Sequence, residues 1–550
     1  MLEDERSYQR GQENLVPSNN ASSVPESPVT PKGQEKPWYI QHFIKLLIGF
    51  GLGGGAVAIL LPWMLWLLCG MSSGSSDQLR LHLLYVTGGI IAVLTLLQTN
   101  WKNQGDRLKI DADIKKNEQD AEKNERDHIR QVHAERRSRY TKAVEQLADE
   151  KATVRLGGIY TLVGLVDEWL ADDTLAIDKQ KEEGQLIVNS LCAYIRSPFP
   201  LAAKINALQT DTTPTNYVAG DFVADQATFR EEQDIRRAIF DEMSKRSSIS
   251  IKDKHEKEEV FVPGSWSNFD FDFSRAPIFY TLSNLTIEKA NFSFSSFYGD
   301  ANFNRTIFIE DANFDRANFT QSSRFSFTTF RKNADFFQTA FAQNTHFGGA
   351  TFTQNANFRD VVFIQDADFL KATFVQNATF RGATFTQNAT FRGATFTQNA
   401  TFSDATFTQT TNFSEVTFTQ NANFHGSTFA QKANFRGAIF TQNANFRGAI
   451  FVHKANFLNV TFTQNIYFIK TYFKNYEPIF SSGSFRAQFS ALSHPDDYLF
   501  SVHENSKPIR LGRATLLDKS FMIPLRTKLF DPGSWDEEKQ NYTRLSEPAQ

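Results

Sequence analysis

The stretch "ATFRGATFTQNATFRGATFTQN" at residues 378–399 places phenylalanine at positions 380, 385, 391 and 396. The steps between these residues alternate between five and six. The same alternation continues without exception from Phe292 to Phe473 and uses 34 of the 54 phenylalanines in the chain. An eleven-residue repeat that recurs about seventeen times has to be interpreted before any local propensity.

Neither a regular helix nor a flat strand gives this spacing a common face. Steps of five and six rotate a helical residue by roughly 140° and 240°, which places the rings on opposing sides. Hendecad coiled coils share the eleven-residue period but need apolar steps of three and four. In a flat strand, side chains alternate with period two, so a step of five turns the next ring to the other face. The chain must therefore bend after each short strand.

A small residue lies two positions before nearly every phenylalanine, as Ala378 lies before Phe380. Residues i and i−2 share one face of a strand, so each unit is predicted to be three extended residues with Ala and Phe inward. The next two or three residues, such as 381–382 or 386–388, would turn a corner. Four such sides close a coil of 22 residues, in which each ring stacks on the ring of the next coil ~4.8 Å away. The rings predicted to form this stack in the middle of the repeat are Phe369, Phe380, Phe385, Phe391, Phe396, Phe402 and Phe413.

Units such as "ANFRG" at 433–437 and 444–448 resemble those of pentapeptide-repeat proteins. The resemblance covers residues 292–473, with a weaker approach from about Phe269. It implies a right-handed quadrilateral β-helix, the pentapeptide-repeat solenoid. A sixth residue in every second unit, such as Asn388 or Asn399, departs from the five-residue pattern and resembles the phenylalanine-rich eleven-residue variant of the family. This extra residue is expected to bulge at alternate corners.

Two apolar segments near the N-terminus predict a two-helix transmembrane hairpin over residues 38–101. Residues 46–71 contain 26 positions without a charge, and residues 83–97 form a second apolar run; a spanning helix needs about 20 residues. The glycines at positions 49, 51, 53 and 55 form overlapping small-xxx-small pairs, which permit close helix packing. Lysine and arginine flank the pair on both outer sides, while the connecting loop offers only Arg80. Positive residues stay inside, so both termini and the repeat domain are expected in the cytoplasm.

The rest of the chain divides by composition. Residues 1–37 predict a disordered tail, 102–139 a charged spacer helix, 140–248 an α-helical module, 249–290 an N-terminal cap of the solenoid, 291–473 the β-helix, and 474–550 a C-terminal cap and tail. Within the spacer, Ile110, Ile114, Ala121 and Ile129 form a weak seam, so a coiled coil and a plain spacer helix both remain open. The segment "RYTKAVEQLADEKATVRLGGIYTLVGLV" resembles a helical segment ahead of the repeats in membrane-anchored bacterial members of the family, which implies the bacterial inner membrane.

No motif predicts a catalytic, cofactor-binding or metal site. Cys69 and Cys192 are too far apart in sequence to form a disulfide framework or a metal motif, and His346, His425 and His453 each lie alone at outward positions. Glutamine recurs every eleven residues, and Gln376, Gln387 and Gln398 are predicted to form amide ladders along the axis. The arginines of the repeat form two sparse columns on opposite faces.

Two function classes remain. The first is a non-catalytic membrane-anchored scaffold that contacts membrane lipid and a protein partner, with homo-oligomerisation left open. The alternative, implied by the resemblance, is a nucleic-acid mimic that acts on DNA gyrase or another DNA-binding protein. Mimicry needs a strongly acidic surface, whereas residues 292–473 contain 14 Lys and Arg against 10 Asp and Glu. The sequence therefore favours the scaffold, and no nucleic-acid partner is expected.

Overall fold

The computed structural model describes residues 36–215, 217, 220–252, 259–280, 282, 286–287 and 289–550. The predicted disordered tail at 1–37 lies almost wholly outside the described residues. The chain forms two compact units, of which the first ends at Ile129 and the second begins at Arg130.

The first unit contains helices α1 (Trp38–Gln41), α2 (Phe43–Cys69) and most of α3 (Ser73–Leu147). Both α2 and α3 are long and apolar enough to cross a membrane. Helix α2 ends at Gly70, whose φ of 63° lies in the left-handed region. A left-handed glycine is a common helix terminator because it lacks the Cβ that would clash. The two apolar helices predicted from the sequence are therefore present.

Helices α2 and α3 contact each other at Gly54 and Thr87. A Cβ added at Gly54 would lie 2.2 Å from Thr87 Cγ2, so no larger residue fits there without a shift. Ala58, one helical turn further on, is buried on the same face. A Cβ added at position 49, 51, 53 or 55 would meet no atom within 4 Å. The predicted small-xxx-small pairs thus make no close contact with α3.

Helix α3 runs without interruption for 75 residues. The sequence predicts a second membrane span before residue 101 and a separate spacer helix at 102–139, whereas both lie within the single helix α3. The change from apolar to charged composition alters the solvent preference of a helix but not its backbone. No proline lies between Ser73 and Leu147 to interrupt the hydrogen bonding.

The second unit begins with a helical module that matches the helical periodicity of its sequence. Its elements are α4 (Ala152–Leu170), α5 (Ile177–Arg196), a 3-10 turn (Pro200–Lys204), α6 (Ile205–Leu208) and α7 (Phe222–Ser247). Apolar side chains from α4, α5 and α7 are buried together, and the same core continues into the solenoid.

A buried arginine joins the helical module to the first coils. Arg236 donates hydrogen bonds to the carbonyl oxygens of Ile195 and Ser197 at 2.8 and 3.0 Å and to Glu232 at 2.7 Å. Its guanidinium also lies 5.6 Å from the ring centre of Phe279. A buried charge with this many partners fixes the orientation of several elements at once.

In the described residues the solenoid has four faces, each a parallel sheet, with 11, 10, 8 and 11 strands. Face one contains Asp270–Asp272, Lys289–Asn291, Ala312–Asn313, Ala334–Asp335, Ala356–Asn357, Ala378–Thr379, Ala400–Thr401, Ala422–Asn423, Ala444–Asn445, Ile466–Tyr467 and Tyr498–Leu499. Face two contains Pro277–Ile278, Ser296–Phe297, Asn318–Phe319, Ala340–Phe341, Val362–Phe363, Thr384–Phe385, Thr406–Phe407, Thr428–Phe429, Ile450–Phe451 and Tyr472–Phe473. Face three contains Ala301–Asn302, Ser323–Arg324, Thr345–His346, Ala367–Asp368, Ala389–Thr390, Thr411–Asn412, Ala433–Asn434 and Ala455–Asn456. Face four contains Thr286–Ile287, Ile307–Phe308, Thr329–Phe330, Thr351–Phe352, Thr373–Phe374, Thr395–Phe396, Thr417–Phe418, Ile439–Phe440, Thr461–Phe462, Gln488–Ser490 and Lys528–Phe530.

Strands pair in a register of 22 residues, as Ala378 with Ala400 on face one shows. This confirms the predicted four-sided parallel coil. Phe391 is fully buried between Phe369 and Phe413, with ring centres 4.8 Å apart on each side and planes within 4° of parallel. Rings of faces one and three also meet edge to face, as Phe380 and Phe391 do at 5.3 Å and 86°. Both arrangements are favourable for aromatic pairs.

Corners alternate between two and three residues, as the eleven-residue repeat requires. At the two-residue corner after Phe380, the Ala383 amide donates to the Phe380 carbonyl at 3.1 Å, and Gly382 between them has a φ of 67°. Such a turn is of type II, which needs a positive φ at its third residue. The corresponding residue has a positive φ at every eleventh position from Phe294 to Lys470, although most of these residues are not glycine.

The faces extend outside the strict phenylalanine repeat. Face one begins at Asp270–Asp272, before the predicted solenoid boundary at 291, and face four ends at Lys528–Phe530, within the segment predicted as cap and tail at 474–550. Antiparallel hairpins flank the stack at Ser248–Lys252 with Glu259–Pro263, Ser481–Ser482 with Phe485–Arg486, Leu511–Leu516 with Lys519–Pro524, and Trp535–Asp536 with Asn541–Tyr542. The 3-10 turns Pro495–Asp497 and Pro532–Ser534 complete this region.

Replacing a corner glycine should measure the strain that the other corners carry. Gly448 has a φ of 67°, and the nearest atom to an added Cβ is 4.0 Å away, so Gly448→Ala adds backbone strain without a clash. We expect it to destabilise the surrounding coils by about 1–2 kcal/mol, seen as faster amide exchange there. Gly348→Ala is the matched control, since an added Cβ also has room and no positive φ occurs at that position. Equal exchange in the two variants would contradict the assignment of strain to the left-handed corner.

Candidate interaction surface

Face four and the corner that follows it form the most uniform surface of the solenoid. The segments at 351–355, 373–377, 395–399, 417–421, 439–443 and 461–465 read TFTQN, TFVQN, TFTQN, TFTQN, IFTQN and TFTQN. In each, the phenylalanine points inward and is buried, while the other four residues are at least partly exposed. No charged residue occurs in these six segments. We call this surface the Thr–Gln face.

The backbone gives the Thr–Gln face a fixed spacing. Thr395 pairs with Thr417 and Phe396 with Phe418 in the parallel register. Six coils in this register extend over ~24 Å at ~4.8 Å per coil. Hydroxyl and amide groups are therefore presented in straight columns along the axis.

An asparagine ladder supports the corner of the Thr–Gln face. The Nδ2 atom of Asn421 donates to Oδ1 of Asn399 at 3.1 Å, and Asn399 donates in turn to Asn377 at 3.2 Å. The ladder continues from Asn377 to Asn355 at 3.3 Å. Asn355 donates to Asn333, and Asn333 donates to a carboxylate oxygen of Asp311, where the ladder ends.

The predicted glutamine ladders are absent: no side-chain hydrogen bond is formed by Gln376, Gln387 or Gln398, all of which lie in the described part of the chain. Each is partly exposed and directly precedes an asparagine whose side chain bonds along the axis instead. Glutamine has one more rotatable bond than asparagine, so holding its amide in a column costs more side-chain entropy. The amide ladder of this structure is formed by asparagines, not by the predicted glutamines.

A second set of asparagines acts at the two-residue corners. Asn434, between Ala433 and Phe435, accepts a hydrogen bond from the Arg436 amide at 3.1 Å and donates to Asn412 of the preceding coil at 3.2 Å. The first contact closes the corner as an Asx turn, and the second ties two coils together. Sequence reasoning missed this role, although the asparagine of "ANFRG" was its visible signal.

The arginine columns are present, and their charges are partly neutralised. Arg381 lies 3.7 Å from Asp404, and Arg392 lies 3.2 Å from Glu415; in both pairs the acid is on the next coil. All four side chains are more than half exposed, so each pair contributes little to stability. The columns occupy the two-residue corners and leave the Thr–Gln face uncharged.

Cys192 and His453 are both covered by neighbouring residues. Cys192 is fully buried, and burial raises the pKa of its thiol to about 12. His453 packs against Tyr476 with ring centres 4.7 Å apart, so this histidine is covered by the segment after the repeat. Within the described residues, no group of three or more His, Cys, Asp or Glu side chains is placed to hold a metal ion.

An ionic cluster lies between the end of α3 and the helical module. Asp172 accepts a hydrogen bond from His133 at 2.9 Å and another from Arg136. Glu168 accepts hydrogen bonds from both terminal nitrogens of Arg139. Burial opposes ionisation of Asp172, but hydrogen bonds from Thr174, Arg136 and His133 hold its pKa well below the usual range. The cluster fixes the end of α3 to α4, which is a structural task.

Comparison with known families decides what the solenoid is. The family model described as pentapeptide repeats (9 copies) matches residues 314–362, 347–395, 391–439 and 426–471. The solenoid of this chain is a pentapeptide-repeat domain. The matched segments together lie within 314–471, the most regular part of the four faces. No curated protein and no solved structure gives a significant match to the chain.

The asparagine ladder can be tested against the glutamine column next to it. Asn399→Ala removes one bond to each neighbouring coil, whereas Gln398→Ala removes a similar exposed amide that makes no hydrogen bond. We expect Asn399→Ala to destabilise the coils around residue 399 by roughly 0.5–1.5 kcal/mol, measured by amide exchange. Gln398→Ala should leave exchange near the wild-type rate. If Gln398→Ala accelerated amide exchange more than Asn399→Ala, the asparagine ladder would be refuted in favour of a glutamine ladder.

Proposed function

We propose that this protein is a non-catalytic, membrane-anchored scaffold whose Thr–Gln face binds a protein partner. The observation that carries the proposal is the Thr–Gln face itself, which over six coils presents mainly Thr, Gln and Asn outward and contains no charged residue. Stacked rings and in-register strands hold the columns at fixed spacings. A rigid surface loses little conformational entropy on binding, so hydroxyl and amide contacts can be specific without strong charge attraction.

The proposed anchor is the pair formed by α2 and the first part of α3, in the bacterial inner membrane. Lysines and arginines flank the two helices on their outer sides, while Arg80 in the connecting region forms an ion pair with Asp77 at 3.4 Å. The positive-inside rule then places both termini, and the solenoid with them, in the cytoplasm.

The charge of the solenoid surface favours the scaffold hypothesis over mimicry of nucleic acid. A duplex mimic needs dense negative charge, and residues 369–473 contain eight Lys and Arg against two Asp and Glu. Arg381 and Arg392 form part of this positive excess and lie at corners on opposite sides of the coil. No structural observation favours gyrase as a partner.

Accessibility labelling tests the topology. In a Cys69→Ser background, a cysteine replacing exposed Ser75 should react with a membrane-impermeant thiol reagent in intact cells, because it lies between the two spans. A cysteine replacing exposed Thr410 in the solenoid should react only after lysis. Labelling of Thr410→Cys in intact cells would reverse the orientation, and protection of Ser75→Cys would contradict a hairpin that crosses the membrane twice.

Charge insertion on matched faces tests the scaffold. Thr395→Lys with Thr417→Lys places two lysines on the Thr–Gln face, and Thr384→Lys with Thr406→Lys places two on face two at equally part-exposed positions. We expect the first pair to abolish co-purification of a membrane-protein partner with the detergent-solubilised full chain, and the second pair to preserve it.

The same preparations should be assayed for DNA gyrase inhibition and duplex DNA binding. Loss of partner binding in both pairs, or in neither, would rule out the Thr–Gln face as the docking surface. Gyrase inhibition by the wild-type protein would replace the scaffold with the mimic.

A further inference from the structure

A second surface lies on helix α3, far along the chain from the Thr–Gln face. Every residue from 102 to 128 of α3 is exposed, including Ile110 at 57% and Ile114 at 51%. Among the residues that the structure describes, nothing covers this segment, so tertiary contacts add little to its stability. The arrangement of charge around this segment indicates what could cover it.

Six uncharged residues of the segment form a seam at coiled-coil spacing. Steps of four and three, starting from Ile110, give one stripe along a helix. No residue in this stripe has a fixed charge, although charged residues fill most of the remaining positions. The seam consists of Ile110, Ile114, Asn117, Ala121, Asn124 and His128.

Acidic residues occupy every position that flanks the seam. In the coiled-coil notation, positions 114, 121 and 128 are a, positions 110, 117 and 124 are d, and the flanks are e and g. The flanking residues are Asp111, Asp113, Glu118, Asp120, Glu125 and Asp127. Between 109 and 127 the basic residues lie on the opposite side of the helix, at positions b, c and f, as Lys109, Lys115, Lys116, Lys123 and Arg126. Between 109 and 127 only one acid, Glu122, lies away from the flanks.

This charge pattern excludes a second copy of the chain as the occupant. In a parallel pair of helices, g of one helix faces e of the other, and an antiparallel pair brings e to e and g to g. Every such contact would join two acids, as Asp113 would meet Glu118 of the other copy. Like charges at these positions select against the homotypic pair.

We propose that the seam of α3 binds a helix of a partner protein that carries lysine and arginine at its own e and g positions, forming a two-stranded coiled coil. The six acids would then all face opposite charge. Asn117 and Asn124 would meet polar residues of the partner, which fixes the register of the two helices. This surface and its partner are separate from the Thr–Gln face, so the inference does not depend on the proposed scaffold function.

The composition of the seam predicts a salt-sensitive complex. Only Ile110, Ile114 and Ala121 supply apolar contact, so charge pairing must provide much of the affinity. Exposed charge pairs are screened as ionic strength rises. Binding should therefore be detectable in low salt and much weaker at high salt.

Two synthetic helical peptides provide the test with the detergent-solubilised full chain. Both have about four heptads and a matching Ile and Asn seam; one carries lysine at every e and g position and the other glutamate. Fluorescence anisotropy should show binding of the lysine peptide and no binding of the glutamate peptide. Asp120→Lys should weaken binding of the lysine peptide at least about tenfold. Glu122→Lys makes the same charge change at position b and should leave affinity within about twofold.

A matched pair also tests the seam itself. Ile114→Ala removes an exposed apolar side chain from the seam, and Leu108→Ala removes one that is 61% exposed at position b. Only the first should weaken binding, with circular dichroism confirming equal helix content in all variants. Equal losses from Asp120→Lys and Glu122→Lys, equal binding of the two peptides, or binding of neither would overturn the proposal. So would a disulfide-linked homodimer of Ala121→Cys in a Cys69→Ser background.

Discussion

Stacking of phenylalanine rings in register with parallel strand pairing is the constraint on which the solenoid depends. Parallel strands lie ~4.8 Å apart, and stacked rings such as Phe369 and Phe391 lie 4.8 Å apart. One repeat distance therefore satisfies the backbone hydrogen bonds and the aromatic packing together. The spacing never varies between Phe292 and Phe473, so every coil of the repeat keeps both interactions.

The corners show how strongly this stack determines the backbone. Phe294, Lys371 and Glu415 adopt positive φ values between 53° and 60°, which cost energy for any residue except glycine. The stack imposes this geometry on whatever residue stands there. Asparagines such as Asn434 help by closing the corner and bonding to the preceding coil. Outward residues can therefore vary freely at some corners, while the Thr–Gln face keeps one composition over six coils.

The sequence was sufficient for the four-sided fold because period, inward alanine and ring spacing all pointed to one geometry. It was insufficient where the outcome depends on the length of a side chain, or where an element continues past a change in composition. Gln398 and Asn399 are adjacent amides, and only the shorter one bonds along the axis. Helix α3 continues through a composition change that looked like a boundary, and strands such as Lys528–Phe530 extend face four without the phenylalanine repeat. The Thr–Gln face and the exposed seam of α3 could be defined only from the positions of these elements in the structure.

Disulfide formation between designed cysteines measures the coil period most directly. In the Cys69→Ser background, cysteines at Thr395 and Thr417 are 22 residues apart and pair across adjacent strands of face four. Parallel neighbours lie within the Cα separation of roughly 4.4–6.8 Å that a disulfide spans. Cysteines at Thr395 and Thr406 are 11 residues apart and lie on different faces. We expect rapid disulfide formation for the first pair and none for the second. A disulfide in the 11-residue pair, or none in the 22-residue pair of a folded protein, would contradict the 22-residue coil.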